Sequence, residues 1–420
     1  MEIFMTSYLP IINRIFIYCV VSFSFCYPTF ALANGPLIGV HLAETATTEE
    51  YQQGLNAAAS LNFKVIRIPV DWNALSEAGA NHYSSDYVNE IIARVIHAQS
   101  LGQKVVMMMS QSPAWASGNT GENGPSYPPK SNYYQDYANA MSYVHSELIN
   151  SSKILTDTIL AWEVWNEPNV LEFWRPDDKG EVDSRPDTFV LIPLEAADEY
   201  AALLGITYDT MKQAYPDLAI LGGSIASADT AYLQRMYQFW GGRQNAKFDH
   251  LSLHPYSRAN EDDGGKPLAP AVCDGSTWCF KHGIEAIRGT LNNDKEIWFT
   301  EFGVSSGTSW GEAGSEAAQA KYMQDALDIL KTWEEDNNAM NIRVALIYRL
   351  RDGSDLFGLF DNQLNEKQIA TETKLRVDNE GRLITEALNE AGTGAFDWLL
   401  LLGFLGLITL RMRNRSDEIY

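Results

Sequence analysis

Apolar residues fall along this chain in two alternating rhythms. Short continuous runs such as Val105 to Met109 and Ile159 to Trp162 have the length and composition of strands buried on both faces. Between such runs lie segments with a single apolar stripe. Val88, Ile91, Ile92 and Val95 fall at i, i+3, i+4 and i+7, and Tyr200, Leu203, Leu204, Thr207, Tyr208 and Met211 mark another, as amphipathic helices require. In chain order the runs predict strands at Leu37 to His41, Lys64 to Pro69, Val105 to Met109, Ile159 onward, Ala219 to Ser224, Phe248 to His254, Glu296 to Glu301 and Val344 to Tyr348. Helices are expected over Thr48 to Leu61, around Val88, over Tyr133 to Leu148, around Tyr200, over Thr230 to Trp240, Ile284 to Leu291, around Met323, and near Leu383 to Asn389. Eight such alternations predict an α/β chain folded as a single-domain (β/α)8 TIM barrel. A doubly wound open sheet is the structural alternative. It is disfavoured because no Gly-rich phosphate turn follows the first strand.

Both ends of the chain depart from this alternation. Arg14 precedes an apolar run from Ile15 to Cys26, and Ala31-Leu32-Ala33 stands before Asn34 as an A-x-A cleavage signature. Residues 1–33 therefore read as a secretory signal peptide, leaving 34–391 for the barrel. At the other end, residues 392–420 join Gly392-Thr393-Gly394 to an apolar stretch, Phe396 to Leu410, and a basic cluster, Arg411 to Arg415. That stretch is shorter than the roughly 17 to 25 residues of an ordinary span. The basic cluster behind it nevertheless has the character of a cytoplasmic stop-transfer end, so a C-terminal hydrophobic anchor or sorting segment is expected. The arrangement resembles the sorting tags of Gram-negative bacteria, in which a rhomboid-like protease cuts at adjacent glycines, although here the string is Gly-Thr-Gly. Tethered or released after C-terminal processing, the chain is expected at the cell surface or the periplasmic face of a membrane.

Export changes how the cysteines read. Cys19 and Cys26 leave with the signal peptide, and Cys273 and Cys279 remain close together in a polar loop, where a disulfide is expected. A zinc site would need more ligands than nearby His282 supplies, so no metal is expected, and no cofactor. The 54 acidic residues against 31 basic ones, a net charge of −23, exclude nucleic acid and disfavour an acidic polymer as partner. A neutral or cationic substrate is compatible. Eleven tryptophans and twenty tyrosines offer faces on which sugar rings stack, although large aromatics are mostly buried. Trp72, Trp115, Trp174 and Trp310 lie at or beyond predicted strand ends and are preferred as sugar platforms to Trp240 or Trp333. A monomer is expected.

The chemistry concentrates at two strand ends. Trp165-Asn166-Glu167-Pro168 closes the fourth strand, where Pro168 cannot continue a ladder, and Thr300-Glu301-Phe302 closes the seventh. The carboxyl end of a barrel strand is where catalytic groups sit. Two carboxylates flanked by aromatics fit glycoside hydrolysis, with Glu167 as acid/base and Glu301 as nucleophile. If the two lie close, the charge on Glu301 is expected to keep Glu167 protonated. Glu163, on the strand itself, reads as a structural barrel carboxylate.

These strings, from Glu163 to Asn169 together with Ser112-Pro113-Ala114-Trp115 and His254-Pro255-Tyr256, resemble the retaining glycoside hydrolases of clan A. They are most similar to family 39 and related endoglycosidases, with family 5 as the near competitor. The resemblance covers Leu37 to about Asn389. It implies that Asn166 bonds the sugar 2-hydroxyl, that Arg67 keeps the nucleophile ionised, and that His254 and Tyr256 line the site, with Tyr256 bonding Glu301. Many clan members carry a Trp at the end of strand eight, where this chain has Tyr348. The function expected is a retaining O-glycosyl hydrolase acting on a neutral β-linked polysaccharide or oligosaccharide, of bacterial or plant type. The alternatives are a transglycosylase and a surface carbohydrate-binding protein that has kept the barrel and lost turnover.

Overall fold

Each apolar run becomes one strand of a closed parallel barrel. A computed structural model describes residues 35–42, 47–120, 126–175, 194, 196–292, 294–336 and 339–385, all within one compact unit, Asn34–Thr385. The barrel strands are β1 (Leu37–His41), β2 (Val65–Asp71), β3 (Lys104–Ser110), β4 (Ile159–Val164), β5 (Ala219–Ala226), β6 (His250–His254), β7 (Ile297–Phe302) and β8 (Ile342–Ile347). Each pairs with its neighbours in sequence, and β8 closes the ring on β1. The helices that follow them are α1 (Thr48–Ser60), α2 (Ser85–Ser100), α3 (Tyr134–Asn150), α4 (Ala196–Ala214), α5 (Thr230–Phe239), α6 (Phe280–Thr290), α7 (Glu316–Glu335) and α8 (Gln368–Lys374). Capping is local and readable: Thr47 and Glu50 form a reciprocal capping box on α1, which satisfies two of its orphan amide groups.

One element differs from expectation. Among the described residues the last helix lies at Gln368–Lys374; of the helix expected near Leu383 to Asn389, Leu383 to Thr385 are not helical and 386–389 lie outside the described residues. Leu383 instead pairs with Val377, and Arg382 pairs with Leu37. The segment donates Leu383 N–H to Pro36 O at 3.0 Å and accepts Ile38 N–H at Gly381 O at 2.8 Å. An apolar run this short carries no decisive period, and here the free amides at the start of β1 recruited it. The expected signal peptide (1–33) and tail (392–420) lie outside the described residues. Among the described residues no helix is long and apolar enough to cross a membrane.

Alternation along the strands sorts the core into two layers. Ile66, Ile68, Met107, Trp162, Val164, Ile220 and Phe299 face outward into the main helix-packed core. Val65, Val106, Ala161, Leu221, Trp298, Val344 and Leu346 form a separate buried cluster. Because side chains alternate with a period of two, the inward positions next along the strands are Arg67 after Val65, Glu163 after Ala161, and Thr300 after Trp298. The barrel is thus plugged by hydrocarbon at its amino end and polar toward its carboxyl end.

Gly39 shows how tightly the plug is packed. It pairs with Val65 on one side and Leu346 on the other. A Cβ built there would collide with the Val65 carbonyl and come within 2.8 Å of Leu346 Cδ2. Gly39→Ala should destabilise the fold by about 1–3 kcal/mol, the usual cost of overpacking. Urea unfolding followed by tryptophan fluorescence measures it; a midpoint equal to wild type would contradict this account of the plug.

Candidate active site

The turn after β4 is shaped by backbone conformations that side chains normally avoid. Trp165 has φ 70° and Glu167 φ 44°, left-handed values that cost on the order of 1–3 kcal/mol each outside glycine. Several bonds hold the turn in place. Trp165 N–H donates to Met109 O at 2.9 Å and lies 3.2 Å from the Tyr137 hydroxyl. Its indole N–H donates to Phe173 O at 2.9 Å. Asn169 clasps the end of β5, donating Nδ2 to Ala226 O and accepting Ala226 N–H at Oδ1, both at 3.0 Å, and Tyr232 OH donates to Pro168 O at 3.0 Å. The outcome is that Asn166 and Glu167 project into the barrel mouth.

Glu301 reaches the same mouth through a bulge. Ala345 of β8 pairs with Phe299 and Ile347 pairs with Phe302, so β7 carries one extra residue over that interval. Phe299 and Phe302 both face the outer core, while Thr300 and Glu301 between them contact groups inside the barrel. A bulge re-aims a side chain in this way. A second register shift on β5 lies between Gly222 and Ile225 and contains Ser224, at φ 45°.

A fully buried Arg67 joins the pieces. Its Nε donates to Glu163 Oε2 at 2.7 Å, Nη2 to Asn166 Oδ1 at 2.8 Å, and Nη1 to Glu301 Oε1. Tyr256 OH donates to the other Glu301 oxygen at 3.1 Å. His254 places Nδ1 at 2.8 Å from Glu167 Oε1 and Nε2 at 3.0 Å from Thr300 Oγ1. Thr300 in turn donates to Glu163 Oε1 at 2.6 Å. Glu167, His254 and Glu301 each put one polar atom within 4.8 Å of the others. Such a trio has the ligand types for a cation, but the guanidinium bonded to Glu301 opposes one. Cys273 and Cys279 are joined in a disulfide, which removes their thiolates as ligands.

Burial and charge set the protonation states. Burial pushes the Glu167 carboxyl up to about 8; Arg67 opposes the rise, and Glu172 and Glu163 add to it. Withdrawal from water is thus the largest cause, ahead of the carboxylate repulsion expected from sequence. Burial also raises Glu301, with Glu167 and Glu163 adding to the rise and His254 and Arg67 opposing it. Glu163 feels the same burial, but Arg67, His254 and hydrogen bonds hold it below the ordinary range. Burial lowers His254, so its imidazole is neutral near pH 7. Tyr256 is raised well above its ordinary value by burial and by Glu301, and keeps its proton.

The site residues read from sequence divide into two groups. Arg67, Asn166, Glu167, His254, Tyr256 and Glu301 converge, and Tyr348 stands at their edge, its ring stacked on His41 at 5.4 Å. Asn166 accepts Arg67 at its oxygen, and its amide nitrogen supplies the donor that the resemblance leads one to expect toward a 2-hydroxyl. Two tryptophans, Trp72 and Trp174, are corrections. Trp72 and Trp174 are fully buried, packed edge-on against Tyr137 and against Trp165 respectively. Trp115 is wedged between Trp72 and Tyr133, and its indole N–H is used by Ser76 O at 2.7 Å. Neither Trp72 nor Trp174 presents a free face, because the helices above the strand ends needed their bulk as core, whereas Trp115 is half-buried. Trp310 is different: it is 65% exposed and its ring lies across Gly265. Sequence reasoning missed His41, Ser224 and Thr300. His41 and Thr300 were signalled by inward parity with Gly39 and Trp298, whereas nothing local marks Ser224.

Comparison with known proteins gives a consistent set. The family profile described as Cellulase (glycosyl hydrolase family 5) matches residues 33–339. No curated protein matches the chain in sequence. Among solved structures, a family 39 glycoside hydrolase from the gut symbiont Bacteroides cellulosilyticus WH2 superposes with TM-score 0.57 at 18% identity, over 82% of this chain and 64% of that one. GH5_18 from Streptomyces cattleya, in complex with GlcNAc, gives 0.56 at 14% identity, over 85% and 80%. The endo-β-1,4-glucanase of Xanthomonas axonopodis pv. citri gives 0.53 at 13% identity, over 83% and 100%. At these identities the likeness is one of fold, and the chain spans under two thirds of the Bacteroides enzyme.

The raised Glu167 has a thermodynamic consequence with a definite sign. Between the ordinary carboxyl value and about 8, the folded state holds a proton that the unfolded state has released. Stability supplied by this group is therefore present at low pH and lost as pH rises through that window. His254 and His41, both lowered by burial, tilt stability the other way at acid pH, so the comparison must be differential. Glu167→Gln should gain stability relative to wild type between pH 5 and pH 8.5, by a few kcal/mol in order of magnitude. Urea midpoints for both proteins across that range measure it; parallel curves would contradict a proton held on Glu167.

Proposed function

The chain belongs to glycosyl hydrolase family 5 and is a glycoside hydrolase, and from that premise we propose that it cleaves neutral β-linked glycans with retention of anomeric configuration. The observation that carries this reading is the spacing of Glu167 and Glu301, whose nearest polar atoms lie within 4.8 Å. Retaining enzymes hold their carboxyls about 5–5.5 Å apart, whereas inverting ones leave about 6.5–9.5 Å for a water.

Glu301 is the nucleophile. Arg67 and Tyr256 each bond one of its oxygens, which orients the carboxylate and favours its charge. Glu167, held protonated by burial, gives its proton to the leaving oxygen as the glycosyl–Glu301 bond forms. Water then enters, Glu167 takes a proton from it, and the hydroxide equivalent displaces Glu301 from the anomeric carbon. Asn166 Nδ2 donates to the 2-hydroxyl beside the reacting carbon. Tyr348 floors the subsite, and Trp310, exposed on the loop after β7, stacks on a sugar further along the groove. The net charge of −23 supports a neutral glycan over an acidic one. Export is part of this proposal, and the Cys273–Cys279 disulfide favours it, because such bonds persist in oxidising compartments.

Two measurements follow. Glu301→Gln should lower kcat on a β-1,4-glucan panel by at least ~10³-fold while leaving oligosaccharide binding in place, and wild type should release a product whose first-formed anomer is β by proton NMR. An α product first would end the retaining assignment. Trp310→Ala should raise KM about tenfold for long oligosaccharides and leave kcat and short substrates unchanged, as loss of one stacked ring, worth about 1.4 kcal/mol, implies. An unchanged KM would remove Trp310 from the substrate path.

A further inference from the structure

His254 is a neutral histidine with both ring nitrogens in short contact, so its tautomer decides what it does to Glu167. The chain of partners behind it leaves one solution. Glu163 is bonded to the Arg67 guanidinium at 2.7 Å and is ionised, so it only accepts. Thr300 lies 2.6 Å from Glu163 Oε1 and must spend its single hydroxyl proton there. Its oxygen, 3.0 Å from His254 Nε2, is then an acceptor, and Nε2 must carry the imidazole proton. Nδ1 is left bare, 2.8 Å from Glu167 Oε1.

We propose that Thr300 and Glu163 are positioning residues that lock His254 in its Nε2–H tautomer, so that Nδ1 faces Glu167 as an acceptor and never as a donor. The inference rests on the assignment of Glu167 as the acid/base. An acceptor at this distance favours the protonated acid and opposes the carboxylate. The same lone pair makes the Glu167 carboxylate a stronger base once it has given up its proton. The charged and titratable groups facing this pair are Arg67 from β2, Glu163 from β4, Glu172 beyond β4, Tyr256 beyond β6, Glu301 from β7, and His41 from β1 across Arg67. None of these reaches Nε2, which has Thr300 and, more distantly, the Ser224 hydroxyl at 3.4 Å. Ser224 can donate or accept, so alone it imposes no tautomer.

Removing the Thr300 hydroxyl frees the ring. In Thr300→Val, Ser224 can donate to Nε2 while Nδ1–H turns to the Glu167 carboxylate and stabilises its charge. The basic limb of the kcat/KM pH profile, which reports the acid in free enzyme, should then move toward lower pH by about one unit. Thr300→Ser should restore it. A merely structural role for Thr300 would lower activity without moving the limb. The tautomer is read independently from long-range proton–nitrogen NMR of the histidine-labelled full chain, with His254 assigned by its loss in His254→Gln.

A wild-type His254 carrying its proton on Nε2, together with a Thr300→Val limb displaced to lower pH, bears the proposal out. A wild-type Nδ1–H pattern, or an unmoved limb in Thr300→Val, overturns it. If no glycan is cleaved, the assignment of Glu167 fails on its own, and the NMR result still decides the tautomer.

Discussion

One buried guanidinium organises this site. Arg67 lies on β2 with no exposure and bonds Glu163 on β4, Asn166 beyond it and Glu301 on β7. Burying an isolated charge would cost several kcal/mol, and partners recover that cost only when the geometry is good. The planar fork of an arginine can satisfy three acceptors on separate strands in a way a lysine ammonium would not. Charge counting then fixes the rest. Arg67 bonds two carboxylates, Glu163 and Glu301, and acts on Glu167 only through space; among the described residues no arginine or lysine bonds Glu167. The group left without a bonded counter-charge is the one that burial holds protonated.

The strands alone would not have brought these groups together. Strict alternation puts Arg67, Glu163 and Thr300 inside the barrel but would point Glu301 outward, away from Glu167. The extra residue in β7 corrects this, and it does so without losing Phe299 or Phe302 from the outer core. The left-handed residues Trp165 and Glu167 do comparable work at the end of β4. In both places irregular backbone is held by many contacts around it, and in both places the irregularity delivers a carboxylate.

Much of this could be read from the sequence, for an identifiable reason. The strands are buried on both faces and so appear as uninterrupted apolar runs. The strings proposed as catalytic stand directly at their ends, so Glu167 and Glu301 are picked out by position, whereas Arg67, His254 and Tyr256 are picked out by the resemblance to clan A. What could not be read depends on contacts between distant segments. Trp72 and Trp174 sit at strand ends just as Trp310 does, and only three-dimensional packing separates core rings from an exposed one. Leu383 is apolar whether it packs in a helix or, as here, pairs with Val377, so its short run does not by itself distinguish the two. The bulge in β7 leaves no mark in Trp298 to Phe302, since an extra residue is defined only against the partner strand.

The structure adds a cause larger than mutual repulsion for the behaviour of two similar glutamates. A simple account makes them repel each other, with Glu301 charged and Glu167 protonated in consequence. On that account the acid would lose its raised affinity for a proton as soon as Glu301 became esterified. Here the main influence on Glu167 is burial, reinforced by Glu172 and Glu163, and none of these is consumed by the reaction. In the proposed double displacement Glu167 therefore remains a strong base after the first step, when it has to take a proton from water. The event that changes its environment is the entry of that water, which resolvates the carboxylate where the departing sugar stood. On the proposed mechanism, turnover would depend on when the barrel mouth is dry and when it is wet, more than on a cycle of charge at Glu301.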